Sequence, residues 1–216
     1  MEVDGFHAVK HALRFAPDLV TSITVTSVEA AAALCLALAP DVLDELLALA
    51  VVGDVAHPTG VTGTAERPVS DRSVLSSRTS PLVLLDHPKH PGNAGAVIRV
   101  AAAAGASGVA VLGPLDVWHP AVIRGAAGLQ FALPVMPCWL EDVAGPIFAL
   151  HAGGEPFSTL PDDAVLAVGS EREGLSPAVL ARADAVVSLP MRDGVSSLNL
   201  ATAASAALYA WRLSKG

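Results

Sequence analysis

Three short stretches carry polar groups where a plain chain connection needs few of them. The first is Asn93-Ala-Gly-Ala-Val-Ile-Arg99, in which the guanidinium follows the amide by six positions. Arg99 has apolar neighbours on both sides. A guanidinium so placed needs an anion, either an internal carboxylate or a phosphate. The second is Gly169-Ser-Glu-Arg-Glu-Gly174. Its glycines let a ligand approach the backbone. Glu171 could serve a positive ligand, orient Arg99, or stand in a solvated charged turn. The third is Leu189-Pro-Met-Arg-Asp-Gly-Val-Ser-Ser-Leu-Asn199, a small-residue loop running into an alanine-rich helix. Ser196 or Ser197 could cap that helix by satisfying an unpaired N–H of its first turn. Asn199, an amide in the first turn of an otherwise apolar helix, must find partners or remain costly. Local capping and a part in ligand binding would each supply them.

Alternating strands and helices must position these loops. Phe6 to Arg14 reads as a helix with Phe6, Val9 and Leu13 on one face. Ser22–Thr26 reads as a strand, and Val28–Ala39 as a helix ended by Pro40. Asp41 is placed to cap a helix over Val42–Leu49. Val51-Val52 and His57–Ala65 suggest a strand, a Pro/Gly turn and another strand. Glu66–Arg78 has no period and reads as a linker, so residues 1–72 form a small α/β module.

A second block follows: strand Leu82–Leu85, a turn-rich loop His87–Gly95, helix Ala96–Gly105, strand Gly108–Leu112 and a short helix Ala121–Ala127. Phe131–Met136 begins another strand, and His151–Glu155 reads as a turn. Strand Ala164–Val168 precedes a helix capped by Ser176 with Pro177 in its first position. Strand Ala185–Pro190 then leads into the third loop. Near-continuous apolar strands between helices indicate an α/β fold, mostly a parallel sheet with helices on both faces. The three loops then lie at strand C-terminal ends, where such folds hold ligands.

The 216 residues, 52% apolar and 16% charged, suffice for one large domain or a medium one plus a small one. No apolar run has the length of a membrane span, and the start lacks a basic then apolar pattern, so a cytoplasmic protein is expected. Cys35 and Cys138 sit in apolar settings without Cys-x-x-Cys spacing and read as buried free thiols. The net charge of −8 divides into −6 over residues 1–72 and −2 over the remainder, against nonspecific nucleic-acid binding but not against a local basic patch. No Gly-x-Gly-x-x-Gly follows the first strand, which sets aside a Rossmann dinucleotide enzyme.

Together the three stretches resemble the SpoU (TrmH-like) family of RNA 2′-O-ribose methyltransferases, in the SPOUT superfamily, over roughly residues 80–216. Asn93, Gly95 and Arg99 match its first motif. Gly169, Glu171, Gly174, Leu175 and Ser176 match its second. Leu189, Pro190, Met191, Ser197, Leu198, Asn199 and Leu200 match its third. Arg124-x-x-x-Gly128 is similar to a connecting element, with Gly125-Ala126-Ala127 where the family has a serine. The loop before Asn93 also departs from the family pattern. The resemblance implies a C-terminal deep trefoil knot, S-adenosylmethionine as methyl donor, homodimers, and rRNA or tRNA as substrate, with no metal. By that analogy Gly169, Leu189, Met191 and Leu198 line the donor. Arg99, Asn93, Glu171, Ser197 and Asn199 form the catalytic set. The N-terminal module is similar to an L30e-like substrate-binding domain. A knotted RNA-binding or assembly protein without turnover is the rival reading.

Overall fold

Apolar spacing sets the first elements. Strand β1 (Glu2–Asp4) leads into α1 (Phe6–Phe15), which buries Phe6, Ala8, Val9, Ala12 and Leu13 and leaves its other face to solvent. Strand β2 (Val20–Val25) precedes helices α2 (Val28–Leu38) and α3 (Leu43–Leu49), then strands β3 (Ala50–Val52) and β4 (Val61–Ala65). The strands form a four-stranded mixed sheet of order β1-β4-β2-β3. Asp41 does not cap α3, which follows a 3-10 turn and has no side-chain cap. Its carboxylate instead accepts two hydrogen bonds from Arg14, at 2.6 and 2.5 Å. A charged fork offers a carboxylate more than one backbone N–H does. The chain is described from a computed structural model covering residues 1–215.

The expected linker holds a short 3-10 turn, Arg72–Leu75, pinned by buried Leu75. Beyond it run β5 (Leu82–Asp86), α4 (Pro91–Ala104), β6 (Gly108–Leu112), α5 (Pro120–Ala126), β7 (Val135–Pro137), β8 (Ile147–Pro156), β9 (Val165–Gly169), α6 (Pro177–Arg182), β10 (Ala185–Ser188) and α7 (Leu200–Leu213). The strands make a six-stranded sheet, parallel throughout, of order β10-β8-β9-β5-β6-β7. All of β5 and β6 is buried, which is why they read as unbroken apolar runs.

Three expectations shift. Helix α4 starts at Pro91 rather than Ala96, because proline suits a first helical position where no N–H is needed. Leu129–Phe131 is a 3-10 turn, and the following strand begins only at Val135, after Pro134. His151–Glu155 lies inside β8: Ala149 faces Val186 but Glu155 faces Val187, so residues 150–154 are inserted on the β10 side as a bulge, while Leu150 still pairs with Val168 of β9.

One apolar core joins the two sheets. Phe6, Val9 and Leu13 of α1 belong to the same cluster as Val97, Ile98 and Ala101 of α4 and Ala204 and Leu208 of α7. A smaller cluster fills the opposite face of the six-stranded sheet. Both cysteines are free and buried, and burial pushes the Cys138 thiol up to about 11. Among the described residues no helix is long and apolar enough to cross a membrane.

Candidate functional site

The early start of α4 puts Asn93 in its first turn rather than in a loop. From there its amide bridges the other two stretches. Asn93 Nδ2 donates to Glu171 Oε1 at 2.8 Å, and Asn93 Oδ1 accepts from Asn199 Nδ2 at 3.3 Å. Glu171 Oε2 also accepts the backbone N–H of Lys89 at 3.1 Å. Partial burial works to raise the Glu171 carboxyl, but hydrogen bonds from Asn93 and from backbone N–H groups, including those of Lys89 and His90, outweigh it. The group is held below its ordinary value and stays ionised at neutral pH.

Asn199, not Ser196 or Ser197, caps α7. Its Oδ1 accepts from Ala201 N at 2.9 Å and Thr202 N at 3.4 Å. Asn199 therefore caps with its oxygen, which meets the capping reading, and reaches Asn93 with its nitrogen, which ties the third stretch to the first. Arg99 stands apart from this network. It is exposed and, among the described residues, has neither ion pair nor hydrogen bond, so no internal carboxylate answers its charge and Glu171 does not orient it.

A cleft of about 370 Å³ opens between the second and third stretches. Gly169, Glu171, Leu189, Met191, Ser197 and Leu198 all line it, and so do the β8 bulge residues Leu150, His151 and Ala152. The bulge wall was missed because small residues there read as a turn. Gly169 also has a reason within the chain itself. Ser170 and Gly174 exchange backbone hydrogen bonds at 2.9 and 3.1 Å, folding the loop back over Gly169, where a Cβ would strike Gly174 and Leu175. The body that comes close there is the chain itself. Gly95 likewise faces Val122, Gly125 and Ala126 of α5, so it permits a close helix crossing.

Asp86, absent from the sequence-based candidates, ties these loops to the sheet. It is buried at the end of β5, accepts the Ser176 N–H at 2.6 Å and meets His87 Nδ1 at 2.7 Å. An acid closing an apolar strand was the available signal. Among the described residues no group of three or more His, Cys, Asp or Glu is arranged to hold a metal ion.

Residues 80–209 match the model of the SpoU rRNA Methylase family. A 23S rRNA (uridine(2479)-2′-O)-methyltransferase of Streptomyces viridochromogenes is 35% identical over 81% of this chain and 65% of its own length. The 23S rRNA (guanosine(2553)-2′-O)-methyltransferase RlmP of Bacillus subtilis is 26% identical over 96% of this chain and 86% of its own. This chain thus spans just under two thirds of the first relative and most of the second. Among solved structures, the SpoU methyltransferase AviRb of S. viridochromogenes with bound AdoMet superposes with a TM-score of 0.79 at 27% identity, covering 100% of this chain and 90% of that one. An AdoMet-bound rRNA methyltransferase of Sinorhizobium meliloti gives 0.75 at 26% identity, covering 99% and 87%.

Proposed function

The chain belongs to the SpoU rRNA methylase family, and we propose that it transfers a methyl group from S-adenosylmethionine to a ribose 2′-hydroxyl of RNA, ribosomal RNA being the substrate its relatives' names support. The observation that carries this is the meeting of the cleft with the Asn93–Glu171–Asn199 network at the C-terminal ends of parallel strands. The cleft suits a nucleoside-sized donor. Its volume lies in the range of small-molecule sites, and Leu189, Met191 and Leu198 give apolar walls opposite residues 169–175 of the second stretch. When bound, that donor supplies an electrophilic methyl on a sulfonium.

The rest falls to this chain's own side chains. A 2′-hydroxyl is a weak nucleophile and must lose its proton. Arginine is nearly always protonated, with a pKa above about 12, so Arg99 is a poor base and a good bidentate clamp for phosphate. We assign it to the phosphate beside the target ribose, holding the hydroxyl in line, while the proton leaves through phosphate or water. Ser197 and the amides of Asn93 and Asn199 hold the ribose. Glu171 fixes the Asn93 amide so that its oxygen faces Asn199. The same reading includes a deep trefoil knot within residues 80–216, an N-terminal substrate-binding module over residues 1–72, and a homodimer. The exposed Tyr209 and Leu213 on α7 support the last of these.

Arg99→Ala tests the assignment. It should abolish methylation of 23S rRNA while calorimetry still shows donor binding, because the donor's wall residues lie on other loops. Arg99→Lys should keep some activity, with part of the loss in RNA affinity. Near-wild-type turnover by Arg99→Ala would overturn the role given to Arg99, and a wild type that methylates no RNA would overturn the enzyme class.

A further inference from the structure

Among the described residues, two other than glycine hold a φ in the left-handed region, His87 at 51° and Ala127 at 52°. Ala127 ends α5, where that conformation is common. His87 ends no helix; it follows the last residue of β5. A side chain in that region costs free energy and stays there only if its surroundings hold it. Three contacts hold this one. Buried Asp86 takes His87 Nδ1 at 2.7 Å. The His87 backbone N–H donates to the Leu112 carbonyl at 3.1 Å. Gly113 leaves room for the ring, since a Cβ there would come within 2.8 Å of the imidazole.

These contacts fix a half-exposed imidazole at a second cavity, of about 300 Å³. Lys89, Ser170, Glu173, Leu175 and Pro177 line it beside His87. The cavity is separate from the donor cleft but adjoins it. Ser170, Glu173, Gly174 and Leu175 line both, so one loop is a shared wall. The cavity also adjoins the Asn93–Glu171–Asn199 network, because the Lys89 N–H donates to Glu171 Oε2 at 3.1 Å.

Asp86 accepts at both oxygens, from His87 Nδ1–H and from the Ser176 N–H at 2.6 Å. His87 Nε2 therefore keeps its lone pair, and among the described residues it has no partner. The Lys89 ammonium stands 3.6 Å from the Glu173 carboxylate. That is too long for a hydrogen bond, so both groups remain open to a ligand. With Asp86 and Glu173 set against Lys89, the lining has no surplus of positive charge, which disfavours a phosphate. Leu175 and Pro177 offer apolar contact, and the volume lies at the small end of the range for small-molecule sites. Apolar walls with acceptors at Nε2 and Glu173 and a donor at Lys89 suit the face and edge of a nucleobase.

We propose that this second cavity seats an unpaired nucleobase of the substrate RNA next to the target nucleotide, with His87 Nε2 accepting an N–H from the edge of that base. The inference rests on the methyltransferase reading and deepens it. The donor cleft supplies the methyl group, and this cavity selects which nucleotide is brought to it. His87 is thus a specificity-determining residue and takes no part in the transfer itself. A base enters such a cavity only when splayed out of its stack, which confines methylation to loops and bulges.

The test uses the full chain and protein-free 23S rRNA, with steady-state kinetics, RNA affinity across a salt series and donor affinity by calorimetry. His87→Gly removes the imidazole and leaves a residue at ease in the left-handed region. His87→Asn tolerates the same backbone and keeps an oxygen that can accept from a base edge. His87→Gly should raise KM for RNA about tenfold, with kcat and donor affinity within about threefold of wild type. Its salt slope should not change, because a base contact releases no counterion. His87→Asn should lie within about threefold of wild type in KM. A slope lowered by about 0.7–0.9 in His87→Gly would place a phosphate there and overturn the nucleobase assignment. Loss of donor binding in both variants would make the role of His87 structural and refute the proposal. If His87→Gly methylates with wild-type KM, the cavity is refuted and the methyltransferase reading stands. If the wild type methylates no RNA, that reading fails and this one falls with it.

Discussion

The Asn93–Glu171 hydrogen bond becomes a repulsion if one atom is changed. Asn93→Asp keeps the shape of the side chain but puts a carboxylate oxygen where Nδ2 now lies, 2.8 Å from Glu171 Oε1. Two unit charges about 3 Å apart repel by roughly 1.4 kcal/mol in water and about 5.5 kcal/mol at an effective dielectric of 20. Glu171 is half-buried, so solvent screening keeps the cost near the lower figure, about 2 kcal/mol. Loss of the hydrogen bond adds about 1 kcal/mol. At roughly 2–4 °C per kcal/mol for a chain of this size, the melting temperature at pH 7 should fall by about 6–12 °C.

The pH dependence gives the sharper sign. In the wild type the Glu171 carboxyl sits below its ordinary 4.5, so its contribution is present above that pH and is lost as pH falls through the lower folded value. In Asn93→Asp one carboxyl of the pair is raised instead. The stability lost at neutral pH then returns as pH falls through the raised value. Melting curves at pH 7, 6 and 5 should therefore show the gap between variant and wild type closing on acidification. A gap that is absent at pH 7, or constant across the series, would show that amide and carboxylate do not meet.

Other perturbations follow from the same contacts. Gly95→Ala gains up to about 1 kcal/mol of helix propensity but drives a methyl into Val122 and Ala126 of α5. Overpacking should win, with a net loss of about 1–3 kcal/mol in denaturant unfolding; an equal or higher midpoint would deny the close crossing. Leu198→Arg places charge and bulk on the cleft wall and should weaken donor binding at least tenfold by calorimetry; unchanged affinity would remove the third loop from the donor site. Light scattering should give a dimer mass at micromolar concentration, and Leu213→Asp, on the exposed side of α7, should shift it towards monomer; a monomeric wild type would refute the dimer.

The alternation of strands and helices was readable because parallel strands buried on both faces, such as β5 and β6, cannot avoid being apolar runs. The same local signals misled at boundaries. Pro91-Gly92-Asn93 has the composition of a turn, yet proline at a first helical position costs nothing, so the helix took these residues in. The site's wiring lay beyond any local period. Asn93 and Glu171 are 78 positions apart, and Asn93 and Asn199 are 106 apart, so the hydrogen bonds joining the three stretches had no signature in spacing. Glycines say little by themselves for a related reason. A residue without a Cβ announces that something comes close, but not what; at Gly95 it is a neighbouring helix and at Gly169 the returning chain.

Charge shows the difference between a sum and an arrangement most plainly. A balance of −6 over residues 1–72 argues against RNA contact only if charge is spread evenly. Screening over about 10 Å means that a phosphate feels its nearest neighbours and little of the module's total. On the outer face of α1 those neighbours are Lys10, an Arg14 answered by Asp41, and two imidazoles that burial pushes below their ordinary value. The sum of −6 therefore says little about what any single face of the module meets.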